Sequence, residues 1–151
     1  MGVTYLLDTH VLLWLLAAPQ KVPEEVRASL ADPATTLLAS SVSAMEVATK
    51  SRLGRLPGAE ALVATWSARL GEIHVDELVL SSAHALLAGS LTWEHRDPFD
   101  RLLVAQALVE NVPLVTVDRA MLAVPGLRTL SFAVIDRVSA GLAAMREQER
   151  Y

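Results

Sequence analysis

Residues 96–118 read RDPFDRLLVAQALVENVPLVTVD, and the order of signals in this stretch decides the fold class. Asp97 is a good helix N-cap, and Pro98 suits the first helical position, where its missing N–H costs nothing. Asp100 falls in the first turn, where the helix dipole favours a carboxylate. Leu103, Val104 and Ala107 share one helical face. Asn111 and Pro113 close the segment, and Leu114 to Val117 form a short apolar strand that ends at Asp118. In open parallel α/β sheets, ligands bind beyond the carboxyl ends of strands, so Asp118 stands where chemistry can use it.

The same grammar recurs near the N-terminus. Tyr5, Leu6 and Leu7 form an apolar strand that stops at Asp8, and a helical apolar run begins at Val11. A third signal is Ser43-Ala44-Met45-Glu46, which opens a helix after the apolar stretch Leu37 to Ala39. Ser-x-x-Glu is a capping box, and the residues alone favour Glu46 as a cap over Glu46 as a ligand. Asp97 reads as a cap for the same reason.

Composition bounds the possibilities. A chain of 151 residues suits one domain with a real core, and 52% hydrophobic residues argue against disorder. Without Cys there is no disulfide, thiolate zinc site or cysteine nucleophile. A net charge of −4 leaves no general attraction for nucleic acid, so contact with RNA or DNA needs a local basic patch or metal ions. Val11 to Ala18 is far short of the roughly 20 apolar residues that span a bilayer. The N-terminus lacks a basic region and carries Asp8 and His10 where a signal peptide would be apolar. The expectation is a soluble, cytoplasmic chain with no membrane partner.

Taken in order, the pattern predicts strands at Thr4–Leu7, Thr36–Ser40, Ile73–Val75, Leu114–Val117 and Thr129–Phe132. Helices are expected over Val11–Ala17, Glu24–Leu30, Ala44–Arg52, Ala59–Leu70, Ser81–Ala88 and from Pro98. Val134, Ile135, Val138, Leu142 and Met145 recur at helical spacing and predict an amphipathic tail. Lys50, Arg52 and Arg55 surround Gly54 and read as a solvated turn. Alternating strands and helices imply a mainly parallel sheet with helices on both faces.

Such a sheet can bring Asp8, Glu46, Asp100 and Asp118 to one cleft at its carboxyl edge. Clustered acids are unfavourable unless protons or cations neutralise them. Oxygen donors without Cys favour magnesium or manganese over zinc. One or two such ions can polarise a phosphate and activate water for in-line attack. Arg96 and Arg101 flank the acidic helix start and suit substrate phosphates, with simple balancing of nearby acids as the plainer alternative. His10, His74, His84 and His95 show no metal-ligand spacing and read as surface or structural histidines. A small metal-dependent phosphotransfer enzyme is a rival, although Asp8-Thr9-His10 lacks the second Asp of the Asp-nucleophile phosphatases.

LLDTHVLLWLL, SAMEVATKSRLGRL, HRDPFDRLLVAQAL and PLVTVD together resemble the motif blocks of PIN-domain ribonucleases, most of all the VapC-type toxins of bacterial toxin–antitoxin pairs. The resemblance runs from about Tyr5 to Phe132, with the blocks in family order. It implies a three-layer α/β/α fold with a five-stranded parallel sheet of order 3-2-1-4-5. It places the nuclease domain at residues 1–133 and leaves 134–151 as a helical tail packed on that domain or extending from it. Asp8, Glu46, Asp100 and Asp118 match the four family acids. The resemblance implies Mg2+, with Mn2+ as a substitute, held by Asp8, Asp100 and Asp118, while Glu46 orients the ion or its water. It also implies an RNA substrate, a cognate antitoxin and a homodimer. A non-catalytic PIN-like scaffold that binds RNA or protein is the remaining rival, and four intact acids count against it.

Overall fold

The computed structural model describes residues 2–135. Strand β1 (Thr4–Leu7) passes through Asp8 into helix α1 (Thr9–Ala17), and α2 (Glu24–Ala31) precedes strand β2 (Thr36–Ser40). Helices α3 (Ser41–Arg52), α4 (Glu60–Ala64) and α5 (Trp66–Glu72) lead to β3 (Val75–Leu78). Then come α6 (Ser82–Ser90), α7 (Pro98–Glu110), β4 (Leu114–Val115), α8 (Arg119–Leu122) and β5 (Thr129–Leu130).

The strands form one sheet in the order β3-β2-β1-β4-β5, and every neighbouring pair is parallel. This is the expected order. Adjacent residues of a strand point to opposite faces, and the core obeys that rule. Leu6 packs with Leu103, Val104, Ala107 and Met121, whereas Leu7 packs with Val11, Leu12, Leu30 and Leu70. Leu114 and Val115 divide between the same two clusters. The sheet is therefore covered by helices on both faces, which explains why its central strands are apolar without alternation.

Helix α7 is built as its sequence dictates. Pro98 occupies its first position, the Asp97 carboxylate accepts from the N–H of Phe99 at 2.9 Å, and Asn111 ends it in the left-handed region at φ 54°. Several boundaries differ from expectation. α1 starts at Thr9, because Asp8 itself is the cap. The helix expected over 59–70 is broken at Thr65, whose hydroxyl donates back to the Ala61 carbonyl at 2.7 Å. β3 begins at Val75 rather than Ile73, after His74 turns the chain at φ 55°. β4 stops at Val115, and the short helix α8, unforeseen in the sequence, follows Asp118. The amphipathic tail lies, beyond Ile135, outside the described residues. Among the described residues no helix is long and apolar enough to cross a membrane.

Candidate active site

Asp8 stands at the end of the central strand and is 5% exposed. Its backbone N–H donates to the Val115 carbonyl at 2.9 Å, tying it to β4. One carboxylate oxygen accepts from the N–H of Thr9 at 2.7 Å, and the other accepts from the Thr116 hydroxyl at 2.7 Å. The same Thr116 oxygen accepts from the N–H of Asp118 at 3.1 Å. Thr116 thus joins the first acid to the fourth. Asp118 caps α8, with Oδ1 accepting from the N–H of Ala120 at 2.9 Å.

The capping box expected at Ser43 and Glu46 does not form. β2 runs directly into α3, so the cap falls three residues earlier, at Ser40, whose hydroxyl accepts from Val42 at 2.9 Å. Ser43 lies inside the helix and shares a hydrogen bond with the Thr9 hydroxyl at 2.8 Å. Glu46 follows one turn later on the same face and is buried. Its Oε2 takes the Lys50 ammonium at 2.6 Å, while its Oε1 is buried with no hydrogen-bond partner among the described residues.

Asp100 opens α7 and meets a residue that spacing did not single out. His95 Nε2–H donates to Asp100 Oδ2 at 2.6 Å. His95, Asp97 and Asp100 each offer a ligand atom within 4.8 Å of the others, whereas Asp8, Glu46 and Asp118 lie outside that tight group. Arg101 turns away from the acids. Its guanidinium donates to the carbonyls of Ala88, Leu91, Trp93 and His95, so it ties down the loop before α7. Those commitments use four of its five N–H groups and leave one for the phosphate-holding role expected of it. Arg96 is exposed and makes no ion pair among the described residues.

Burial pushes the Asp8 carboxyl above its ordinary value, against the lowering effects of Thr116, His10 and Thr9, and the Glu46 carboxylate adds to the rise. Burial likewise raises Asp100 to about 6; the His95 hydrogen bond opposes the rise, and the charges of Asp97 and Asp8 reinforce it. Asp8 therefore feels both Glu46 and Asp100. An acid cluster with unfavourable charge, an orphaned buried oxygen and only oxygen and imidazole donors fits a hard divalent cation.

Of the other histidines, His84 is structural. It is 2% exposed, its Nδ1 accepts from the N–H of Ser81 at 2.9 Å, and Nε2 meets Glu110 at 2.8 Å. Thr116 and Lys50 were legible in principle, as a polar residue within an apolar strand and as the i+4 partner of Glu46. His95 carried no such signal.

The sequence pattern of the PIN domain matches residues 5–127. The chain belongs to the PIN domain family. The match takes in Asp8, Glu46, Asp100 and Asp118, and this PIN domain shares its fold with proteins of solved structure. VapBC2 from Rickettsia felis, solved with a DNA fragment from its promoter, superposes with a TM-score of 0.65 at 18% identity, over 86% of this chain and 99% of that one. VapBC-1 from nontypeable Haemophilus influenzae gives 0.65 at 18% identity, covering 85% and 98%. VapBC-5 from Mycobacterium tuberculosis, a member of the VapBC family of toxin–antitoxin systems, gives 0.53 at 20% identity, covering 87% and 99%. No curated protein matches the sequence significantly.

Proposed function

We propose that this PIN domain is a magnesium- or manganese-dependent endoribonuclease, and the toxin of a toxin–antitoxin pair. The observation that carries the reading is the buried Glu46 Oε1, unpartnered beside an Asp8 whose ionisation is already disfavoured. A buried carboxylate oxygen without a donor is costly, and a divalent cation is the partner that relieves it. Asp8, Asp100 and Asp118 would hold the ion, with Glu46 orienting it or its water. When bound, the ion supplies positive charge at a phosphodiester and lowers the pKa of a water.

The chain's own residues prepare that site. Thr116 and the N–H of Thr9 fix both oxygens of Asp8, so it enters the reaction already oriented. Lys50 holds one oxygen of Glu46 and leaves the other free. Arg96, exposed beside Asp97, is a cation available to an RNA phosphate. The toxin reading draws on the toxin–antitoxin proteins that share the fold, and it brings a cognate antitoxin as inhibitor and a homodimer as the working form. Purified protein free of antitoxin is expected to cut single-stranded RNA with Mg2+ or Mn2+ and to stop in EDTA. Cleavage that persists unchanged in EDTA, after controls for contaminating nuclease, would reject the mechanism. Induced alone, the protein should arrest growth, and Asp8→Asn should relieve the arrest.

A further inference from the structure

We infer that His95 is a positioning residue for Asp100, an inference that rests on the metal reading given above. His95 is gripped at three points. Its Nε2–H donates to Asp100 Oδ2 at 2.6 Å. Its ring stacks on Trp93, with centroids 4.6 Å apart and planes 23° from parallel. Its carbonyl accepts from Arg101 Nη1 at 3.0 Å, and the same nitrogen donates to the carbonyl of Trp93. Two of the residues that hold His95, Asp100 and Arg101, are neighbours on the first turn of α7.

The consequence falls on Asp100. A carboxylate at a helix start can rotate about two side-chain bonds, and a cation site needs it in one orientation. His95 fixes Oδ2, so the carboxylate presents Oδ1, which has no hydrogen bond among the described residues. Partners of this kind commonly change metal affinity 10- to 100-fold. The closeness of His95, Asp97 and Asp100 also suits direct ligation by the imidazole. With Nε2 donating to Asp100, ligation would fall to Nδ1. We favour positioning because the Asp100 contact is the one the structure shows, and imidazole nitrogen coupling to a bound Mn2+ separates the two.

Mn2+ binding to the full-length protein, followed by electron paramagnetic resonance without RNA, tests this separately from cleavage. His95→Phe keeps a ring for Trp93 but has no N–H, and should weaken Mn2+ binding about 10- to 100-fold. His95→Asn, whose amide stops short of Asp100, should behave alike. His95→Gln, whose amide reaches about as far as Nε2, should stay within a few-fold of wild type. Melting temperatures in EDTA should remain similar across the set. Unchanged binding by His95→Phe overturns the inference, as does weakening that only follows lost thermal stability. Imidazole nitrogen coupling in the wild-type Mn2+ spectrum overturns it too, by making His95 a ligand. A wild-type protein that binds no Mn2+ overturns the metal reading itself, and this inference with it.

Discussion

Lys50 and Glu46 form an ion pair across one turn of α3, with Nζ 2.6 Å from Oε2. Lys50 keeps 34% of its side chain exposed while Glu46 keeps 5%, so the pair carries charge from solvent into the edge of the acid cluster. Without the ammonium, a buried carboxylate would face Asp8 with neither oxygen partnered. Breaking such a pair is costly, less so where one member is partly solvated, and Lys50→Met should destabilise the cation-free protein by about 1–2 kcal/mol. For a domain of this size that is a melting temperature lower by roughly 2–8 °C. Saturating Mg2+ should raise the melting temperature of the variant more than that of the wild type. An unchanged melt in EDTA would show that Glu46 does not need Lys50.

Asp100 gives the site a pH signature. Its carboxyl rises from 3.8 to about 6 on folding, so the folded chain holds that proton more tightly than the unfolded one. Stability from this group therefore falls as pH climbs through that window, by at most about 3 kcal/mol. Asp100→Asn removes the titration and can still accept from His95. In EDTA, the variant should match wild type near about pH 4 and melt higher above about pH 6.5. Mg2+ at about 100 times its dissociation constant should stabilise the wild type by about 2.7 kcal/mol and leave the variant behind. A variant no more stable than wild type in EDTA at neutral pH would contradict the raised carboxyl.

Asp97 separates cap from ligand. Its Oδ1 accepts from Phe99 at 2.9 Å and more weakly from Asp100 at 3.4 Å. Asp97→Ala should cost about 1 kcal/mol through the lost cap, whereas Asp97→Asn keeps the cap. Because the Asp97 charge raises Asp100, the Asn variant should also shift the Asp100 titration downward. RNA cleavage by Asp97→Asn should stay close to wild type. Loss of cleavage in a folded Asp97→Asn, with Asp100→Asn still active, would transfer the third acid to position 97.

Arg101 is expected to act on folding rather than on RNA. Arg101→Ala strands several loop carbonyls and should destabilise the protein by about 2–4 kcal/mol. Arg101→Lys should recover only part of this, since an ammonium has three donors and no planar fork. Hydrogen exchange across residues 91–97 reads the effect directly. A stable Arg101→Ala with weakened RNA binding would instead assign Arg101 to the phosphate.

The cap at Asp97 and the start of α7 were legible because each depends on near neighbours in sequence, whereas the sheet order followed from the resemblance to the PIN family. Pro98 can start a helix and cannot sit inside one, and Leu6-Leu7 must be buried on both sides of a sheet. Where elements abut, the local signal misled. Ser43 has the spacing of a cap, but β2 delivers the chain at Ser40 and the helix begins there. The fourth acid was found at its expected edge, while the hydroxyl that joins it to the first was overlooked. His95 was out of reach for a different reason. Its contact with Asp100 depends on the path of the loop, which Arg101 sets through backbone carbonyls that carry no residue-specific code.

The hydrogen bond between Asp8 and Thr116 spans 108 positions of the chain. Its closure requires β4 to dock beside β1, a late and long-range event in folding. During synthesis, then, Asp8 emerges early and waits while all but the last strand of the sheet is made. A ribosome-bound chain cannot fix both oxygens of Asp8 until Thr116 has cleared the exit tunnel. Completion of the acid site is therefore among the last events in the making of the molecule.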